Sequence, residues 1–165
     1  MRLRSFFTLP IAACVIILNT HCYKSNNNSA LVNFYMTLTV DSQALQTFSQ
    51  QVTYDNRTQV VTLAAPVDNN ISVQMQWNAP LATSTFQSGL SISYTDNWTV
   101  GTGTGSWIGD SAHGHGTLTI NLFNKVANVV GGTFSGVLLG TGTNAGDSLV
   151  ITNGTFNLPF QTTSS

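Results

Sequence analysis

Asn70-Ile71-Ser72-Val73-Gln74-Met75-Gln76-Trp77-Asn78 decides the fold class. Ile71, Val73, Met75 and Trp77 fall on every second position, with Ser72, Gln74 and Gln76 between them. A period of two puts successive side chains on opposite faces of an extended chain, so one face is apolar and the other presents amides and hydroxyls. This is a half-buried antiparallel strand.

The same alternation extends to both sides of this stretch. Phe34, Met36, Leu38 and Val40, then Leu90, Ile92 and Tyr94, then Leu118, Ile120 and Leu122 repeat it between Thr, Ser and Asn residues. Thr47 to Tyr54, Thr58 to Ala64, Val129 to Leu139 and Leu149 to Phe160 are less regular but rich in β-branched or aromatic residues, and turn formers bound them. Asp55-Asn56, Asp68-Asn69-Asn70, Pro80 to Ser88 and the glycine-rich stretches Gly101 to Gly116 and Gly140 to Gly146 read as connections. The expected architecture is all-β, with about eight antiparallel strands in a meander-like barrel or sandwich. Asn153-Gly154 is compatible with a two-residue hairpin or with one long strand bulged at Gly154.

Composition supports this class and excludes others. Apolar residues make up 42% of the chain and charged residues only 7%, against roughly 25% charged in ordinary globular domains. Thr, Ser, Asn and Gln provide the polarity, and the periodic Val, Ile, Leu and Phe argue against disorder. Every acidic residue is Asp and no Glu is present, which disfavours long helices. Beyond the first residues only Lys24, Arg57 and Lys125 are basic, so no positive surface can neutralise a phosphate backbone and no nucleic acid partner is expected.

The N-terminus carries Arg2 and Arg4, then an apolar stretch from Phe6 to Leu18 interrupted by Pro10, then polar Asn19, Thr20 and His21. Positive start, short apolar run and polar exit are the marks of a signal peptide, and the run falls short of the roughly 20 apolar residues a spanning helix needs. The two cysteines, Cys14 and Cys22, both lie here, so no disulfide is expected inside the folded domain. Cys22 closes the apolar region and precedes the polar Lys24-Ser25-Asn26-Asn27-Asn28-Ser29, an order that resembles the start of a mature bacterial lipoprotein and makes Cys22 the candidate lipidation site. Asn19 and His21 depart from the Leu and small residue usual before such a cysteine, and Ile11-Ala12-Ala13-Cys14 matches that box more closely but would leave Val15 to Leu18 exposed. An ordinary secretory leader with incidental cysteines is the competing reading. The expected division is a leader over residues 1–22, a polar tether over 23–30, an antiparallel β domain over 31–161 and a tail over 162–165.

Gly116-Thr117-Leu118-Thr119-Ile120, Gly132-Thr133-Phe134-Ser135-Gly136 and Ile151-Thr152-Asn153-Gly154-Thr155-Phe156-Asn157 follow in order behind the early strand Met36-Thr37-Leu38-Thr39-Val40-Asp41. This succession is similar to small β-rich domains of unknown function in envelope lipoproteins of Gram-negative bacteria. The resemblance implies an exported β domain at the periplasmic or outer-membrane surface of a bacterial cell envelope. It brings no catalytic or ligand-binding residues with it.

Three groups of residues are candidate sites. Asp110, His113 and His115 lie within Gly109-Asp-Ser-Ala-His-Gly-His-Gly116, where two histidines one residue apart could share a metal; the plainer reading is two surface histidines in a loop, since a site needs three or four ligands. Ser111 with His113 and Asp110 is too local in sequence to give a hydrolytic triad its geometry. Trp98 and Trp107 flank Gly101 to Gly105 and, with Tyr94, could form a stacking platform for a sugar; the alternative is that they plug one end of the fold. The glycine-rich runs lack the Lys and the following helix that a phosphate cradle requires, and no cofactor is expected.

The sequence therefore points to a non-enzymatic envelope protein, attached to the membrane through a lipid anchor, that binds a glycan or protein partner through its loops. Two alternatives stand beside it: a small metal-dependent hydrolase built on Asp110, His113 and His115, and a barrel carrying a small ligand.

Overall fold

The computed structural model describes residues 34–47, 50–78, 82–97, 105–124 and 126–163, all within the compact unit Val32–Ser165. In it, Ile71–Asn78 is a strand whose Val73, Met75 and Trp77 are buried and whose Ser72, Gln74 and Gln76 are exposed. Eleven strands follow one another: β1 (Tyr35–Val40), β2 (Gln43–Thr47), β3 (Gln51–Asp55), β4 (Val60–Pro66), β5 (Ile71–Asn78), β6 (Ser84–Phe86), β7 (Leu90–Asp96), β8 (Gly105–Gly109), β9 (Gly114–Asn124), β10 (Val129–Thr141) and β11 (Ser148–Thr163). The one helical element among the described residues is a 3-10 turn at Gly142–Asn144. The leader over 1–22, the tether over 23–30, Cys14, Cys22 and Trp98 lie outside the described residues.

Among the described residues the fold is all-β, with eleven strands rather than about eight, and it is not a plain barrel. Pairings β3–β4–β5–β7–β8–β10–β11–β3 close a ring of seven strands. From this ring β11 carries β1 and then β2 along one flank, while β10 carries β9 and then β6, so β2 and β6 are edges.

The ring closes through the one parallel contact among the described residues, which departs from the expected all-antiparallel meander: Phe160 to Thr163 of β11 run beside Val52 to Asp55 of β3. β11 is sixteen residues long and outlasts its antiparallel partners, because β10 ends opposite Pro159 and β1 opposite Asn157. Its remaining backbone groups need partners, and β3 supplies them. The sheet therefore takes in Thr162 and Thr163, which the sequence assigns to a tail.

Asn153-Gly154 lies inside β11 and makes a bulge, not a hairpin. Against β1 the pairs Thr37↔Thr155 and Thr39↔Thr152 enclose one extra β11 residue, and against β10 the pairs Phe134↔Gly154 and Gly136↔Ile151 enclose one as well. Asn153 takes up the excess in the left-handed region at φ 51°, which Asn tolerates better than most residues.

The inward side chains of all these strands merge into one buried cluster that includes Met36, Leu38, Leu63, Met75, Trp77, Ile92, Leu118, Phe134, Ile151 and Phe156. Fully burying a side chain of this size is worth roughly 1.5–3 kcal/mol, so packing is the main source of stability. Two residues assigned inward by alternation are not there. Phe34 precedes β1 and is 48% exposed, and Leu122 is 43% exposed because a register shift between Gly131 and Gly132 turns the end of β9 over.

Candidate functional site

Asp110 and His113 belong to the tight turn that joins β8 to β9. The Asp110 carboxylate accepts hydrogen bonds from the backbone N–H groups of Ala112 (2.8 Å) and His113 (2.7 Å), and its Oδ1 lies 3.1 Å from Nδ1 of His113. The Asp110 N–H in turn donates to the His113 carbonyl at 3.0 Å. These contacts, with the Ala112 N–H foremost, hold the Asp110 carboxyl below the usual carboxylate range. An Asp closing its own turn onto the residues two and three ahead is an Asx turn, and it commits one oxygen to the backbone. His115 lies beyond the turn in β9, exposed and opposite Val137 of β10. Among the described residues, no three His, Cys, Asp or Glu side chains come together as a metal-binding group.

Tyr94 and Trp107 sit opposite each other on β7 and β8. Their rings meet edge to face at 5.8 Å; Tyr94 is buried and Trp107 half-buried against the core. Gly105 makes room for the indole, since a Cβ there would come within 2.7 Å of the Trp107 ring. Burial first, then the charges of Asp96, Asp68 and Asp41, push the Tyr94 hydroxyl up to about 12. Trp98, which the sequence reading groups with these two, is outside the described residues.

A third surface has no counterpart among the sequence candidates. Thr85 of β6 pairs with Thr119 of β9, Thr119 with Thr133 of β10, Thr133 with Thr155 of β11, Thr155 with Thr37 of β1, and Thr37 with Gln46 of β2. Five threonines and a glutamine thus form one unbroken row across six strands. Thr37, Thr119, Thr133 and Thr155 alternate along their strands with buried residues, and Gln46 and Thr85 are exposed beside half-buried Leu45 and Phe86, so the row lies on the outer face. The hydroxyls of Thr85 and Thr119 are 3.2 Å apart and hydrogen-bonded.

Two open depressions lie on this face, one walled by Thr37, Thr39 and Gln46 and the other by Thr119, Thr133 and Thr155, and Asn153 borders both. No charged side chain lines either one. The sequence signal was the pair of polar positions in Thr37-Leu38-Thr39, Thr117-Leu118-Thr119 and Thr133-Phe134-Ser135, but only the register aligns them.

No protein-family model matches this chain, and neither a curated protein nor a solved structure matches it.

Proposed function

We propose that this chain is an exported, non-enzymatic binding domain of a bacterial envelope, attached through a lipid on Cys22. The observation that carries this reading is the order of the sequence itself: a positive start, a short apolar run ending at Cys22, a polar tether and then a β domain. Similarity to the envelope lipoprotein domains described above supports it. The domain holds together without cysteine, because its strands bury one continuous apolar cluster. On the finer architecture, the ring of seven paired strands favours a partly closed barrel with two flanking flaps, β1–β2 and β9–β6.

Intact-mass measurement of the protein purified from its native envelope tests the reading. The expected species begins at Cys22 and carries acyl groups. A species that keeps residues 1–22, or one recovered from the cytoplasm, overturns it.

The alternative, a metal-dependent hydrolase on Asp110, His113 and His115, has beside it one contact, the 3.1 Å approach of His113 to Asp110, which also belongs to the turn. Zinc titration of the wild type and of H113A separates the two readings. Zinc bound by the wild type and lost in H113A, with accompanying hydrolysis of an ester substrate, would establish the enzyme.

A further inference from the structure

We infer that the outer threonine row is a binding surface for an extended, neutral, hydroxyl-rich chain, that is, a glycan. This deepens the proposed binding role and rests on it, but moves the contact from the loops to a sheet face.

The chemistry of the row selects the ligand class. Thr85, Thr119, Thr133, Thr155, Thr37 and Gln46 follow one another in register, and each side chain both donates and accepts hydrogen bonds. With no charged side chain lining the depressions beside the row, an ionic partner finds no counter-charge there, whereas a polyol finds a complementary partner at every step. Strand spacing of about 4.8 Å makes the row about 24 Å long, which suits a chain lying across the strands better than a compact molecule. A peptide is disfavoured, because extended peptides add to sheet edges through backbone hydrogen bonds, and this is a face.

The row is also preorganised. A β-branched side chain has few χ1 choices, so little freedom is lost when a threonine hydroxyl engages a ligand. Asn153 stands where the two depressions meet, at the bulge that bends β11, and a bulge is a common device for re-aiming a side chain. Cross-strand threonine pairs stabilise a sheet on their own account, so the test must separate hydroxyl chemistry from strand stability.

Thr→Val does so, since valine keeps the shape and the β preference and removes only the hydroxyl. The full chain is titrated with laminarin, dextran and galactomannan, with heparin as a charged control. Binding to at least one neutral polysaccharide is expected, unchanged between low and high salt because no charges are paired. T133V/T155V is expected to weaken it about tenfold, as two neutral hydrogen bonds would, with the melting temperature unchanged. T133S/T155S, which keeps the hydroxyls, is expected to retain it. Failure of all three polysaccharides to bind overturns the inference, as does salt-sensitive binding to heparin alone or adsorption to ice alone. Polysaccharide binding that survives T133V/T155V but is lost in W107A leaves the binding role standing and removes this surface from it.

Discussion

Asp41 and Val150 hold each other by two hydrogen bonds: the Asp41 N–H donates to the Val150 carbonyl at 3.0 Å, and the Val150 N–H donates to the Asp41 carboxylate at 2.9 Å. This reciprocal clasp pins the β1–β2 turn to β11. The turn has two residues, Asp41 at φ 44° and Ser42 at φ 77°, and the pairing of Val40 with Gln43 makes it the mirror-image type that suits twisted hairpins.

D41A removes the carboxylate acceptor and is expected to cost about 1 kcal/mol in urea denaturation, whereas D41N keeps an oxygen and tolerates the left-handed backbone, so it should stay within about 0.5 kcal/mol of the wild type. At Ser42 a glycine removes the steric penalty of positive φ, and S42G is expected to stabilise by about 0.5–1 kcal/mol.

G154A tests the bulge in β11. A Cβ at this position would lie 2.5 Å from the Phe134 carbonyl oxygen and 2.6 Å from the Phe134 ring. Phe134 is buried and packs on Phe156 at 6.4 Å, so it cannot retreat freely. Overpacking of this kind typically costs 1–3 kcal/mol, and a loss in that range is expected for G154A by chemical denaturation.

What the sequence reveals here is governed by burial. Alternation identifies β1, β5, β7 and the first part of β9, because one face of each is buried and the other solvated. It misses β2 and β6, which are edge strands with little buried surface, and β8, whose Gly105 and Gly109 read as loop formers. Those glycines instead permit close packing: a Cβ on Gly109 would crowd the Leu138 side chain and the His115 carbonyl. The parallel contact of β3 with β11 joins residues about a hundred positions apart and leaves no local pattern. At the candidate sites, Asp110 and His113 were legible as neighbours, but the threonine row was not, since bulges and turns far along the chain set the register that aligns it.

Trp77 offers a contrast between volume and polarity. Its indole is buried against Phe86, with ring centres 5.9 Å apart, and Nε1 has no hydrogen-bond partner among the described residues. An unpaired buried donor costs roughly 1–3 kcal/mol, which offsets part of what the large ring contributes. W77F removes the donor with modest loss of volume and is expected to cost no more than about 1 kcal/mol, against roughly 3–5 kcal/mol for W77A. A W77F penalty close to that of W77A in denaturant midpoints would show that the indole nitrogen is satisfied.

Tyr94 predicts how the domain responds to base. The folded state holds the phenolic proton up to about 12, above the ordinary 10, chiefly because the hydroxyl is buried and secondarily because Asp96, Asp68 and Asp41 disfavour a further negative charge. Below pH 10 both folded and unfolded chains keep the proton, and the full stability is present. As pH climbs from 10 to about 12, the unfolded chain gains by ionising while the folded chain does not, so stability falls across that window. A rise from 10 to about 12 sets a ceiling of roughly 3 kcal/mol, and solvent screening reduces the expected loss to about 1–2 kcal/mol. Y94F has no proton to lose at this site. Its urea midpoint is expected to decline less than that of the wild type over the same interval, and parallel declines in the two proteins would show that Tyr94 ionises as readily folded as unfolded.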